Sequence, residues 1–214
     1  MKIATTLSSL MLLAVPVAIA EEAASVSASE ECQTIYDLVC GNNDLKQFCA
    51  LIDETGLVDM YTDRRLTVFA PNNKAVNRMN FKSLDEEQLQ EVVEFHAHRG
   101  VLQTSEMPCY AGYNTIRMMD GKDSRTICVD YIPAFQKGGG NTDENKPAII
   151  STDIEACNGV VHLLDAMLLP NHYDESVLMT GKPPKRDEDL TPSGAQLNRS
   201  GWFMFAAIFL FMNL

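Results

Sequence analysis

Apolar residues in the first part of the chain recur with the spacing of short helices. They fall every three or four positions over residues 34–39 and 45–52, and turn-favouring Gly41-Asn42-Asn43 separates the two runs. The run 66–70 is apolar and rich in residues that favour strands, and Pro71 follows it. The pattern predicts two short helices and then a buried strand.

A third helix has the clearest signature. Ser83-Leu84-Asp85-Glu86 matches a capping box, in which the first and last side chains satisfy backbone donors of the first helical turn. The residues that follow at helical spacing are Leu89, Val92, Val93 and His96. We predict a helix that begins after Ser83 and ends at Gly100.

From residue 113 onward the pattern changes to short strands. The predicted strands cover residues 113–118, 125–129, 132–135, 148–154 and 160–164. The glycine-rich run 138–146 predicts a flexible loop, and Asn158-Gly159 is a strong signal for a tight hairpin turn. Because helices come first and strands later, the order predicts an α+β fold.

Residues 1–20 have the organisation of a cleavable secretory signal peptide. Lys2 supplies a positive charge, an apolar run too short to span a bilayer follows, and Ala18-Ile19-Ala20 is a small-x-small cleavage site. Residues 21–29 are rich in Ala, Ser and Glu and predict a flexible N-terminal segment. We therefore expect the chain to be exported.

The other end of the chain resembles a signal for a glycosylphosphatidylinositol (GPI) anchor. Residues 202–214 are uncharged and largely apolar, and a polar spacer and a triplet of small residues precede them. We predict attachment at Ser193, or at Gly194, with residues 194–214 as the removed propeptide. The alternatives are a short membrane tail or an apolar tail kept by a secreted protein.

A stalk is predicted between the folded part and this anchor. Residues 171–193 carry several prolines, many charges and few large apolar side chains, a composition typical of a flexible linker. The glycosylation sequon at Asn198 lies beyond the predicted attachment site, so its use would contradict the anchor.

The cysteines predict disulfide bonds. They are Cys32, Cys40, Cys49, Cys109, Cys128 and Cys157. An even number in an exported chain indicates an oxidising compartment, and no CxxC pair or neighbouring histidine favours zinc. The sequence leaves the pairing open.

The net charge and the length limit the class of protein. A formal charge of −12 repels nucleic acids and anionic membranes, so no nucleic-acid partner is expected. Residues 30–170 are enough for one domain with a substantial core.

Two segments resemble the signature boxes of the fasciclin (FAS1) domain family. The first spans residues 67–76 and the second residues 158–170, with Phe95-His96 between them where the family often has a Tyr-His pair. Their order and spacing fit the family over residues 34–170. The resemblance implies one FAS1-like α+β domain, a β-sandwich or wedge of about seven short strands with several packed helices.

The boxes supply the candidate fold-motif residues. They are Thr67, Phe69, Pro71, Asn72, Asn158, Gly159 and His162. Pro71 lacks the N–H that would continue a strand, Asn72 can cap the next helical turn, and Asn158-Gly159 can adopt positive φ. His162 is either a hydrogen-bonded core histidine or a ligand or catalytic base.

Phe95 and His96 are the candidate adhesion contact. Phenylalanine lacks the hydroxyl of the tyrosine that the family often has, which removes any contact made through that group. The alternative is that the pair packs at the end of the helix. His96 and His98 do not share a helical face, so a metal pair is not expected.

The resemblance implies an adhesion or matrix module rather than an enzyme. Its expected partner is an extracellular protein or polysaccharide, with a second copy of the chain as one alternative, and membrane attachment is expected through a lipid anchor. No GxSxG, phosphate loop or HExxH motif is present, and we expect no catalytic residue, cofactor or metal. The alternative function is a secreted carrier of a small apolar ligand, a lipid or pigment, which methionine-rich surfaces suit.

Overall fold

A computed structural model describes residues 32–110 and 114–180 of the chain. The predicted signal peptide, Ser193, Gly194 and Asn198 lie outside the described residues. Within them, the chain forms six α-helices and seven strands in two sheets, which confirms the predicted α+β class.

Three helices come first. They are α1 (Ile35–Gly41), α2 (Lys46–Glu54) and α3 (Val58–Asp63). The Thr34 hydroxyl caps α1 by accepting from the Asp37 N–H at 3.1 Å. The Asp37 carboxylate in turn accepts from the Thr34 N–H, also at 3.1 Å. The first two helices confirm the sequence prediction, whereas α3 was missed because its six residues show too little periodicity.

The first strand leads into the central helix. Strand β1 (Leu66–Pro71) is buried throughout, and α4 (Asn73–Asn77) follows it. A short 3₁₀ turn at Phe81–Ser83 precedes α5 (Glu86–Glu94). The capping box of α5 is formed by Asp85 and Gln88, so the prediction of Ser83 as the cap is wrong.

Helix α5 is shorter than predicted. It ends at Glu94, and residues 97–99 form β2 (Ala97–Arg99), which pairs antiparallel with β1. Gly100 therefore follows a strand and does not end the helix. The helical spacing holds for Leu89, Val92 and Val93, which lie in α5, whereas residues 97–99 pair with β1.

The remaining strands complete two sheets. They are β3 (Thr115–Arg117), β4 (Asp123–Val129), β5 (Ile132–Lys137), β6 (Ile149–Ala156) and β7 (Gly159–Leu164). One sheet has the order β2-β1-β7-β6, in which β1 and β7 run parallel, and the other is antiparallel with the order β3-β4-β5. Single bridges at His98–Met118 and Phe135–Ala148 connect the sheets.

Strand β1 separates two hydrophobic clusters. Leu66, Val68 and Ala70 face the helices, whereas Phe69 belongs to a second cluster with Leu164. Alternate side chains of a strand point to opposite faces, so one short strand contributes to both cores. The second cluster takes its other members mainly from the sheets and from the loops beside them: Phe95, Met107, Ile116, Met118, Ile149 and Leu168.

The glycine-rich run is packed, so its prediction as a flexible loop is wrong. A Cβ on Gly138 would lie 2.0 Å from the Leu169 carbonyl oxygen, which shows how closely the two backbones approach. Asn141 and Asn145 are both 4% exposed. Glycine permits the approach, and the buried amides hold the loop in place.

The domain also extends beyond residue 170. Helix α6 (Glu175–Leu178) packs on it: the Thr142 N–H donates to the buried Glu175 carboxylate at 2.9 Å, and Asn80 donates to the Leu178 carbonyl at 2.6 Å. The prediction of a stalk from residue 171 is therefore wrong for residues 171–180. Residues 181–193 lie outside the described part.

Three disulfide bonds form, as the cysteine count predicts. The pairs are Cys32–Cys157, Cys40–Cys49 and Cys109–Cys128. The first joins the chain before α1 to the turn between β6 and β7, the second links α1 to α2, and the third ties the segment before β3 to β4. Among the described residues, no helix is long and apolar enough to cross a membrane.

Candidate functional site

The parallel pairing of β1 with β7 brings the two signature boxes side by side. Thr67 lies opposite Val160 and Phe69 opposite His162 in the register. Thr67 is buried, and its hydroxyl donates to the Gly100 carbonyl and accepts from the Leu102 N–H, each at 2.8 Å. Through this hydroxyl, the first box fixes the backbone of residues 100–102, which follow β2.

The ends of the boxes are shaped by Asn72 and Gly159. The Asn72 side chain accepts from the Ala75 N–H at 2.8 Å, which makes it the cap of α4, as predicted. Pro71 is the last residue of β1. Gly159 begins β7, and the two turn residues before it are Cys157 and Asn158, so the turn lies one residue earlier than predicted.

Asn158 acts through its side chain. Its Oδ1 accepts from the Ile35 N–H at 2.7 Å, and its Nδ2 donates to the carbonyls of Tyr61 and Arg64 at 2.8 and 2.9 Å. A third carbonyl, of Thr62, lies at 3.1 Å. One amide therefore joins the start of α1, the end of α3 and the last hairpin, a role the sequence did not indicate.

Replacing Asn158 with Ala should lower the free energy of unfolding by about 2–3 kcal/mol, because it leaves a backbone donor and several carbonyls without their partner. Urea denaturation of the full chain measures the change. Asn43→Ala is the control. Asn43 is exposed, and within the described residues it accepts a side-chain hydrogen bond only through its backbone carbonyl. Equal stability of both variants would contradict the role of Asn158.

His162 is a buried, neutral histidine. Its Nδ1 accepts from the Asp153 N–H at 3.2 Å, so the proton lies on Nε2, which donates to the Leu102 carbonyl at 3.0 Å. Its ring lies 5.4 Å from that of Phe69, and burial lowers its pKa. Both ring nitrogens are engaged inside the domain, so this geometry leaves none for a ligand.

His96 is held in the same way at the end of α5. Its Nδ1 donates to the Val92 carbonyl at 2.7 Å and its Nε2 accepts from the Leu168 N–H at 3.0 Å. Burial lowers its pKa to about 4. His96 therefore ties α5 to the segment that follows β7, which is the end of the second box.

Phe95 and His96 are both 0% exposed. Phe95 belongs to the hydrophobic cluster between the sheets, and the His96 ring packs 5.3 Å from that of Phe48. A partner could reach neither side chain without unfolding the end of α5. The prediction of an adhesion contact at this pair is therefore wrong, and packing at the helix end is its role.

The burial of His96 makes stability depend on pH. Its pKa in the folded domain, about 4, lies below its ordinary value of 6.5, so protonation favours the unfolded chain. The stabilisation of the folded domain by neutral His96 is fully present above about pH 6.5. It is lost at about 1.4 kcal/mol per pH unit as the pH falls toward 4. The free energy of unfolding should fall by about 3 kcal/mol over this range, measured by urea denaturation.

His96→Gln provides the comparison for this pH profile. The variant starts less stable, but its slope between pH 6.5 and 4 should be flatter. The comparison is needed because other buried groups also contribute: burial lowers the pKa of His162, which adds with the same sign, and raises the pKa of Asp120, which adds with the opposite sign. Identical slopes for the two proteins would contradict the assignment to His96.

Two surface grooves border α5. One, of about 740 Å³, is lined by acidic and amide side chains that include Glu91 and Asp120. Glu91 forms an ion pair with Lys122 and accepts from Tyr173 at 2.9 Å. The other, of about 700 Å³, combines Met79 and other apolar side chains with acidic ones. No described group of three or more His, Cys, Asp or Glu residues could hold a metal ion.

Two highly exposed aromatic residues of the described chain lie away from the boxes. Tyr131 is 85% exposed in the turn between β4 and β5, and Tyr110 is 76% exposed beside the Cys109–Cys128 disulfide. Val129 and Ile132 flank the turn and are also exposed. The predicted strands 125–129 and 132–135 leave Asp130 and Tyr131 between them, but the sequence did not indicate that these apolar side chains are exposed.

Comparison with known proteins places the chain in a family. A model of the Fasciclin domain matches residues 43–170, which is more than half of the chain. The chain is 25% identical over 160 residues to Protein sll1483 of a Synechocystis species, which covers 68% of this chain and 78% of that protein. The chain therefore belongs to the Fasciclin domain family, a family of cell-adhesion-related modules.

A solved structure is also similar. It is a FAS1 domain pair from the insect cell adhesion molecule Fasciclin I, with a TM-score of 0.49 and 16% sequence identity. The match covers 64% of this chain and 51% of that chain, so the present protein spans about half the length of the domain pair.

Proposed function

We propose that this protein is a non-catalytic adhesion module outside the cell, which binds a protein or polysaccharide through exposed turns and loops. The observation that carries the proposal is that the polar side chains of the signature boxes form their hydrogen bonds inside the domain. Thr67, Asn158 and both box-associated histidines form hydrogen bonds within the domain. The boxes build the scaffold, and partner binding is left to the surface.

An extracellular location is supported by two observations. Fasciclin domains are cell-adhesion-related modules, and the described cysteines are all paired in disulfides. Such bonds persist in oxidising compartments. The predicted signal peptide would direct the chain there.

A GPI anchor is the proposed attachment to the membrane. The predicted site at Ser193 or Gly194 follows the last described residue, Thr180, by little more than ten positions. Such a linker would hold the domain close to the membrane. Many copies on one surface would then turn a modest affinity into firm adhesion.

Cell adhesion tests this function. Non-adhesive cells that display the full chain should aggregate, or bind extracellular material, more than the same cells without it. Mixing labelled display cells with bare cells separates binding between copies from binding to another partner. Display at high density with no added adhesion of either kind would contradict the proposal.

A second candidate function is carriage of a small apolar ligand. The groove of about 700 Å³ beside Met79 and Leu89 has a volume typical of small-molecule pockets, although Asp85 and Glu86 also line it. Mass spectrometry of an organic extract of the purified full chain would reveal a stoichiometric lipid or pigment. An extract free of both would exclude such a carrier.

A further inference from the structure

The turn between β4 and β5 contains a residue type that its backbone conformation disfavours. Val129 pairs with Ile132, so Asp130 and Tyr131 form a two-residue hairpin turn. Their φ angles are 51° and 65°, in the left-handed region that glycine favours. Aspartate tolerates this region, but a bulky tyrosine there is an outlier.

The strained residue is also highly exposed. Tyr131 is 85% exposed, so no packing of its ring compensates for its backbone conformation. Strain of this kind persists where the surrounding structure enforces it, and it concentrates at binding sites. Here the strands on both sides and the Cys109–Cys128 disulfide fix the hairpin.

The disulfide brings a second tyrosine to this end of the molecule. The Cα atoms of Cys109 and Cys128 are 5.7 Å apart, and Tyr110 directly follows Cys109. Tyr110, Tyr131, Val129 and Ile132 are the exposed side chains that this disulfide and this turn place at one end of the hairpin, and we call them the hairpin tip. Tyrosine suits recognition because it offers a large, rigid, amphipathic face at low entropic cost.

We propose that the hairpin tip binds a neutral polysaccharide by stacking the tyrosine rings on the apolar C–H faces of sugar rings, while Asp130 accepts hydrogen bonds from sugar hydroxyls. This inference rests on the proposed adhesion function and names its surface and its partner class. It places recognition outside the signature boxes.

The exposed area favours a sugar over a protein. At about 200 Å² for a whole aromatic side chain, the exposed fractions of the two tyrosines amount to roughly 300 Å². A stable protein interface needs roughly 800 Å² on each partner. A face of a few hundred square ångströms matches a few sugar rings, and repeated copies of the module would add avidity.

The charge favours a neutral chain over a charged one. The protein carries a formal charge of −12, and the tip itself holds the carboxylate of Asp130. An anionic polysaccharide would be repelled, and so would a second acidic copy of the protein. A neutral polysaccharide meets no such repulsion and can use the carboxylate as a hydrogen-bond acceptor.

The test compares two replacements of Tyr131 in the full chain displayed on cells. Tyr131→Gly removes the ring and suits a φ of 65°, so the fold should be as stable as that of the parent or more stable. Tyr131→Phe keeps the ring. The control is Val177→Ser, which alters another exposed apolar side chain, 67% exposed, on α6.

The probes are beads coated with cellulose, mannan, galactan or dextran, with dextran sulfate as the anionic match of dextran. Cells with the parent chain should bind at least one neutral bead and not dextran sulfate. Tyr131→Gly should reduce that binding by at least about tenfold, whereas Tyr131→Phe and Val177→Ser should keep most of it.

The outcomes separate this inference from the proposed function. Failure of the parent chain to bind any neutral bead, or equal binding by Tyr131→Gly, would overturn the inference. If the cells still adhere to one another or to a protein, adhesion stands and the partner class or the surface is wrong. If the parent chain supports no adhesion at all, the proposed function fails as well.

Discussion

Replacing Gly159 with Ala should lower the free energy of unfolding by about 4 kcal/mol or more. A Cβ at this position would lie 1.8 Å from the Leu66 carbonyl oxygen and 2.9 Å from its carbonyl carbon. Both atoms belong to the backbone of β1, so no side-chain rotation relieves the contact. The first pair of the parallel ladder, Leu66 with Gly159, would have to separate.

Urea denaturation of the purified full chain measures this effect. Gly41→Ala is the matched control, because Gly41 is exposed and a Cβ there meets nothing within 4 Å. That control should be neutral or slightly stabilising. If Gly159→Ala unfolded at the same urea concentration as Gly41→Ala, the close packing of β7 on β1 would be wrong.

The second large effect concerns the Cys32–Cys157 disulfide. It links residues 125 positions apart, so it strongly restricts the unfolded chain. On the loop-entropy model, replacing both cysteines with Ser should cost about 5 kcal/mol. This bond also fixes the start of the described chain, before α1, to the hairpin turn that carries Asn158.

The Cys40–Cys49 bond is the natural comparison. It closes a loop of only 9 positions, and the same model gives a cost of about 2.6 kcal/mol when both cysteines become Ser. Thermal unfolding under non-reducing conditions should therefore show the larger loss for the Cys32–Cys157 pair. A reversed order would show that the long loop does not govern stability here.

Much of the fold could be predicted because its signals are local. Thr34, Asn72 and Pro71 act on residues within a few positions, and the structure places each at the predicted boundary. The continuous apolar run of residues 66–70 predicted a buried strand, and both faces of β1 are covered in the structure. An even cysteine count predicted disulfides but could not choose their partners.

The errors arose where distant contacts decide. Asn158 contacts Ile35 and Arg64, which are 123 and 94 positions away, so no local pattern shows its role. The run 138–146 reads as flexible by composition, yet it packs against the backbone of Leu169. Ala97–Arg99 continues a helical pattern, yet it pairs with β1.

In the candidate site, too, local patterns were predictable and contacts between distant residues were not. The boxes were recognisable in the sequence, but Phe95 and His96 lie inside the domain, and only the fold shows this. Conversely, the predicted strands 125–129 and 132–135 place Asp130 and Tyr131 in a two-residue turn, but no local pattern shows that the Tyr131 ring is exposed. Burial is a property of the whole fold, and it decides which side chains a partner can reach.

The most direct test of an anchored adhesion module is treatment of intact cells that express the full chain with phosphatidylinositol-specific phospholipase C. We expect the enzyme to release the protein into the medium and to abolish adhesion in the same step. Protein already in the medium before treatment, or protein that stays on the cells, would contradict the GPI anchor, and adhesion that survives complete release would contradict the adhesion function.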